Sequence, residues 1–276
     1  MIPNVFLKII SESLLSFYPA MVKFIQFPII NQTWARLIVY TIISGLFLNW
    51  RTIWPTLFSQ LGLSLALVNV IHIISSYIGF ANLEAGASYS IFYIYPILII
   101  LFSGMKFHWI YLLPIIGITL LSYSSWKNVG KENAVKGITG IIFATFTEVA
   151  MYFIVRQMKD QTNKWNILFI AYFLPALTIS LILNKNVIPK PQNNSQNKWK
   201  KEIILLLTGN AIIGAIGYYL RFYTIDKLPV LLYSTLSYVG IIMAYIYGWI
   251  LNKDKIGLAE IMGSFLIIIS GILCHL

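Results

Sequence analysis

Apolar runs close to 20 residues long follow one another along almost the whole of this 276-residue chain. That is the length a helix rising 1.5 Å per residue needs to cross about 30 Å of hydrocarbon. Composition agrees. The chain is 58% hydrophobic and 11% charged, where a soluble domain carries about 25% charged residues. An ordinary soluble enzyme is excluded, and so is a disordered or fibrous chain. The expectation is an all-α integral membrane protein with ten transmembrane helices, near 3–25, 33–50, 57–82, 85–104, 107–125, 136–157, 165–183, 201–223, 228–251 and 256–275. The first run carries Lys8 and Glu12 and leads into further spans, so it reads as a helix and not as a cleavable signal. Two connections, Trp126–Val135 and Asn184–Lys200, are polar enough to predict true loops.

The formal charge is +11, from 20 Lys+Arg against 9 Asp+Glu. The basic residues sit mostly in short connections, which points to anionic lipid headgroups and not to nucleic acid. Cys274 is the single cysteine, so no intrachain disulfide or thiolate cluster is expected.

The chain reads as a tandem duplication, with units at 1–126 and 127–276. A shift of 136 places Ser11-Glu12 on Thr147-Glu148, Phe17 on Phe153 and Lys23 on Lys159. A shift of 142 places Tyr77 on Tyr219, Phe80 on Phe222 and Glu84 on Asp226, and one of 146 places His108 on Asp254 and Gly117 on Gly263. The order of matches is kept while the shift grows by loop-sized steps. Five spans per unit is odd, so the second copy must enter the membrane upside down. Inverted five-helix repeats are the construction by which many secondary transporters alternate access.

Among the acidic residues, Glu12 and Glu148 alone lie well inside apolar segments, at the same place in the two repeats. An ionisable group there faces a cavity, finds a partner or carries a proton. Lys8 stands four residues before Glu12 and can share its helix face, whereas Arg156 is two turns from Glu148. Glu148 is therefore expected to handle charge in a cavity. Asn69, His72 and Ser76 share one face of the third span; Asn210, Gly214, Gly217 and Tyr218 run along the eighth. The glycines are expected as packing contacts. Tyr77, Tyr89, Tyr93 and Tyr219 complete the candidate substrate-binding set, since aromatic walls suit amphipathic metabolites. Tyr18, Tyr233 and Tyr238 fit interfacial belts equally well. His108 and Asp254 are expected as solvated span ends.

No zinc helix, nucleophile elbow or phosphate-gripping glycine loop is present in the sequence. Two of the three histidines, His108 and His275, lie at a turn and near the last residue, so a histidine metal triad is not expected. Neither enzyme activity nor a cofactor is predicted.

The residues Tyr18-Pro19-Ala20-Met21-Val22-Lys23, then Arg36, resemble the first two helices of the EamA-type branch of the drug/metabolite transporter superfamily. Tyr77-Ile78-Gly79-Phe80, Ala85-Gly86-Ala87-Ser88 and Tyr95-Pro96 resemble its most recognisable stretch. Tyr219 to Asp226, Gly248, Lys253-Asp254-Lys255, Gly263 and Gly271 repeat the pattern. His108 and Asp254 depart from it, standing where the family usually has Glu. The resemblance implies a multi-pass protein of the cell membrane with both termini cytoplasmic; Lys/Arg bias alone is nearly balanced. The functional expectation is a carrier, monomeric or homodimeric, that moves a small organic metabolite by alternating access, with the proton as candidate coupling ion. The alternative is a membrane-embedded scaffold without transport. An open central cavity would separate the two.

Overall fold

The computed structural model describes residues 2–25, 27–104, 109–183 and 194–273, and every regular element among them is a helix. The first predicted span is two helices, α1 (Ile2–Leu15) and α2 (Phe17–Phe24). Next come α3 (Ile29–Gly45), a short α4 (Trp50–Leu57) and the long α5 (Gln60–Asn82). The fourth span is again split, into α6 (Ala85–Phe92) and α7 (Tyr95–Phe102), and α8 (Leu113–Val129) follows. The remainder is α9 (Lys131–Gln157), α10 (Lys164–Leu183), α11 (Asn194–Thr224), the split pair α12 (Val230–Ser237) and α13 (Val239–Tyr247), and α14 (Leu258–Leu273).

Seven of these stretches are long and apolar enough to cross a membrane: Ile2–Phe24, Gln60–Asn82, Ala85–Phe102, Lys131–Gln157, Lys164–Leu181, Lys201–Thr224 and Val230–Asn252. Helices α3 and α8, at 17 residues each, and α14, at 16, are shorter. The polar stretch Trp126–Val135 is not a loop, contrary to expectation. Helix α8 runs to Val129 and α9 starts at Lys131, with only Gly130 between them at φ 85°. Polarity there marks where the chain meets water; the helix itself ends only where a left-handed residue turns it. Of the other predicted loop, 194–200 is the first part of α11, and 184–193 lies outside the described residues. The short α4 is capped by the Asn49 side chain, which accepts from Arg51 N at 3.1 Å. It exposes Trp50 and Trp54, as an interfacial helix does.

Prolines explain much of the polar stitching. A proline has no N–H for the carbonyl four residues before it, and no water replaces that donor in hydrocarbon. Pro19 orphans Leu15 O, which accepts from Tyr89 OH at 2.5 Å. Pro96 does the same to Phe92 O, met by Thr145 Oγ1 at 3.4 Å, and Pro114 to Ile110 O, met by Ser270 Oγ at 2.9 Å. Pro175, inside α10, frees Ala171 O for Asn69 Nδ2 at 2.6 Å. In all four cases the donor comes from a different helix.

The bundle is inside out relative to a soluble protein. Leu67, Ile71, Ile74, Phe143 and Phe146 are exposed, while Lys8, Glu12, Arg36, Glu148 and Arg221 are buried. The main packings are α1 on α11, α5 on α9, α3 on α10, α8 on α14 and α6 on α13. Helices α8 and α14 meet at glycines: a Cβ on Gly117 would lie 2.7 Å from Gly263 O, and one on Gly263 would lie 2.8 Å from Gly117 O. Such close backbone approach is the usual basis of helix association in lipid.

Candidate functional site

The α1 helix turn sets Lys8 and Glu12 on one face, and Lys8 Nζ bonds Glu12 Oε1. The other oxygen of Glu12 accepts from Tyr93 OH and from Arg221 Nη2, the latter at 2.7 Å. The second guanidinium nitrogen, Arg221 Nη1, donates to Glu148 Oε1 at 2.8 Å. Arg221 therefore bridges the two carboxylates, and the reading of Glu148 as an acid without a cation is corrected: its partner comes from α11 and not from its own helix. Lys8 and Arg221 balance Glu12 and Glu148, so the quartet is neutral as a unit. Neutrality matters because an unpaired charge at such depth costs several kcal/mol or more.

One oxygen of the pair is left over. Glu148 Oε2 is buried without a hydrogen-bond partner among the described residues, 3.6 Å from His72 Nε2. His72 Nδ1 lies 3.2 Å from Ala144 O and Nε2 lies 3.0 Å from Tyr218 OH. The Ala144 carbonyl can only accept, which places the ring proton on Nδ1 and leaves Nε2 to accept from the tyrosine.

Beside the quartet, Arg36 of α3 is enclosed by tyrosines. Its guanidinium carbon lies 4.4 Å from the Tyr18 ring centroid, 5.1 Å from Tyr218, 5.2 Å from Tyr40, and 5.8 Å from Tyr77 and Tyr172. Arg36 Nη2 donates to Tyr172 OH at 3.1 Å, and Nε is buried with no partner. A small cavity of about 10 Å³ opens here, lined by residues that include Arg36, Tyr18, His72, Ser76, Tyr89 and Tyr218. That is room for about one water molecule. A cavity of that size holds no metabolite, so it does not decide between carrier and scaffold.

The sequence-predicted residues divide accordingly. Glu12, Glu148, His72, Tyr93 and Tyr218 form one polar network; Tyr77 belongs to the Arg36 cage and Tyr89 to the cavity wall. Asn69 Nδ2 donates to the Ala171 carbonyl, and its Oδ1 is buried without a hydrogen-bond partner among the described residues. Asn210 is buried with Oδ1 unpartnered, one turn before Gly214. Tyr219 does not join the network: half-buried, it stacks on Trp165 at 3.9 Å, toward α10. The glycines are packing contacts as expected, since a Cβ on Gly214 would lie 2.1 Å from the Tyr18 ring and one on Gly217 would lie 2.9 Å from Leu15. Arg221 was not singled out by the sequence because it sits three residues before the end of α11, where an arginine ordinarily reaches water. The available signal was charge balance: two intramembrane acids call for cations, and Lys8 supplies one.

Asp254 is not a solvated turn. Oδ2 accepts from Ala85 N at 3.0 Å and Oδ1 pairs with Lys23 at 3.3 Å, tying three segments. Nearby, Glu84 lies between α5 and α6, outside the spans, and shares Asn128 Nδ2 with Glu260, at 3.0 and 3.1 Å. Burial, then the charge of Glu260, pushes the Glu84 carboxyl up to about 8. His108, Cys274 and His275 lie outside the described residues.

Together these features define a polytopic helical membrane protein with Lys8, Glu12, Arg36, Glu148 and Arg221 buried among its helices. Residues 135–275 match the EamA-like transporter family, and the chain belongs to that family. A solved structure described as "Crystal structure of protein" has a TM-score of 0.66 to this chain at 13% identity, covering 99% of this chain and 95% of its own. The likeness is one of fold. No curated protein matches the chain.

Proposed function

We propose that this protein is a ten-span secondary transporter of the drug/metabolite type, whose two inverted halves, 1–126 and 127–276, carry a small organic metabolite by alternating access. The observation that carries this reading is the exchange of packing partners. If α1–α2 corresponds to α9, α3 to α10, α5 to α11, α6–α7 to α12–α13 and α8 to α14, then the α1·α11 contact maps onto α9·α5, and α3·α11 onto α10·α5. The α3·α10 and α8·α14 contacts map onto themselves, and α6·α13 maps onto α12·α7. The helix breaks at Tyr93-Ile94 and at Tyr238 correspond as well. That is the pattern a twofold relation between the halves produces; an odd number of spans per half would put its axis in the membrane plane.

In this reading α3, α8 and α14 are short spans, both termini are cytoplasmic in the cell membrane, and the proton is the coupling ion. The free oxygen of Glu148 beside His72 is where it would ride. A cavity this small also suits a scaffold, but membership in a transporter family favours carriage. The experiment is counterflow in proteoliposomes over a metabolite panel, with and without a pH gradient, together with a thiol introduced at Ser76 in a Cys274→Ser background. Labelling by an impermeant reagent from each face in turn is expected. A thiol that no condition exposes to more than one face removes alternating access.

A further inference from the structure

Of the three cations that are fully buried among the described residues, Lys8 and Arg221 have carboxylate partners and Arg36 has none. Its hydrogen bonds go to neutral phenols, Tyr172 among them, and Nε has no partner among the described residues. Five tyrosine rings lower the cost of burying it. Rings do not neutralise a charge, however. Counted across the centre, three cations face two carboxylates. A buried, unneutralised guanidinium that borders a cavity is an incomplete ion pair.

We propose that Arg36 is the subsite for the carboxylate of a small organic monoanion, so that the substrate itself completes the charge balance of the core. This rests on the transport reading and names its substrate class. A guanidinium presents a planar fork of donors matched to a carboxylate. The cavity at Arg36 is walled by Leu15, Phe80 and Phe92 on its apolar side. Those walls suit an apolar or aromatic body attached to the carboxylate. Its size here, about one water molecule, admits no such body, so a substrate enters only as the halves part.

The test uses the full chain in lipid nanodiscs, with benzoate, phenylacetate and hexanoate set against benzamide, phenylacetamide, hexanamide and benzylamine. Thermal unfolding is followed by intrinsic fluorescence. The acids are expected to raise the midpoint, while amides and the amine leave it unchanged. Arg36→Gln is expected to weaken carboxylate binding about 10- to 100-fold. Arg36→Lys, which keeps the charge without the fork, is expected to fall between and serves if the Gln variant does not fold. Acids no better than amides, no response to any acid, or an Arg36→Lys variant that binds acids as wild type does would each overturn the proposal. Counterflow separates the two readings: Arg36-dependent acid binding without counterflow leaves the subsite and removes transport. Counterflow of amides or benzylamine alone leaves transport and removes the subsite.

Discussion

Replacing Arg221 by Met tests the buried quartet most directly. Methionine fills the volume and carries no charge, so it leaves Glu12 and Glu148 facing one another with Lys8, on Glu12, as the one Lys or Arg still in direct contact with either among the described residues. Each carboxylate contact, at 2.7 and 2.8 Å, corresponds to about 4 kcal/mol of Coulomb energy for charges about 4 Å apart at an effective dielectric near 20. Removing one partner of a buried ion pair costs about 3–5 kcal/mol, because the other charge stays buried. By the scaling of large soluble domains, about 2–4 °C per kcal/mol, the unfolding midpoint should drop by about 6–20 °C. Intrinsic fluorescence of the purified protein, rich in Trp and Tyr, gives the midpoint. The discriminating variant is Arg221→Met with Glu148→Gln. It restores a one-to-one balance of Lys8 and Glu12, so it should be more stable than Arg221→Met alone, with a coupling of about 0.5–3 kcal/mol. If the second substitution lowers stability further, or the two add without coupling, Arg221 does not bridge the two acids.

Three further outcomes are expected. Glu148→Gln keeps size and hydrogen bonding while removing titration, so transport should lose its pH dependence with folding intact, and Glu12→Gln should do less; an unchanged pH profile in Glu148→Gln proteoliposomes refutes the proton role. Glu84, whose carboxyl in the folded state sits at about 8, binds a proton more tightly folded than unfolded. Its contribution is therefore present at low pH and fades as pH rises toward and through 8; thermal midpoints from pH 6 to 9 should fall in wild type and flatten in Glu84→Gln. Asn69→Leu should cost about 1–3 kcal/mol by stranding the Ala171 carbonyl, and much less in a Pro175→Ala background, where residue 175 regains its N–H; equal losses in both backgrounds would mean Asn69 acts otherwise.

Much of the architecture was legible because hydrocarbon imposes a length. The ten apolar segments fall on helices in the expected order, usually within a few residues at their ends. Glu12 and Glu148 stood out for the same reason, an ionisable group within an apolar run. What the sequence hid was lateral. Arg221 sits near a helix end, and only the packing of α1 on α11, with Glu148 of α9 reaching the same guanidinium, makes it a buried bridge. Tyr219 and Tyr218 are adjacent in sequence, yet only the second faces His72; rotation about the helix axis decides, and an apolar helix gives little amphipathic signal to fix it. The prolines were visible, but the donors that meet their freed carbonyls come from other helices and could not be paired in advance.

Tyr218 is the residue through which anion recognition and proton handling would meet. Its ring lies 5.1 Å from Arg36 and 5.4 Å from Arg221, and its hydroxyl lies 3.0 Å from His72 Nε2. A carboxylate arriving at Arg36 adds negative charge to the face of the cage that Tyr218 shares with His72, which favours a proton on the His72–Glu148 side. The hydroxyl contact is the path expected to carry most of that change between the two sites. Tyr218→Phe keeps the ring over both guanidinium groups and deletes that link. Acid binding at fixed pH should stay within about threefold of wild type, since no charged group is lost. The pH dependence of acid binding should flatten, as linkage requires when two sites are uncoupled. Titrating phenylacetate affinity in nanodiscs from pH 5 to 8 in both proteins measures it. A Tyr218→Phe protein whose affinity follows pH as steeply as wild type would place the coupling elsewhere, and the hydroxyl contact to His72 would then be only a satisfied buried polar group.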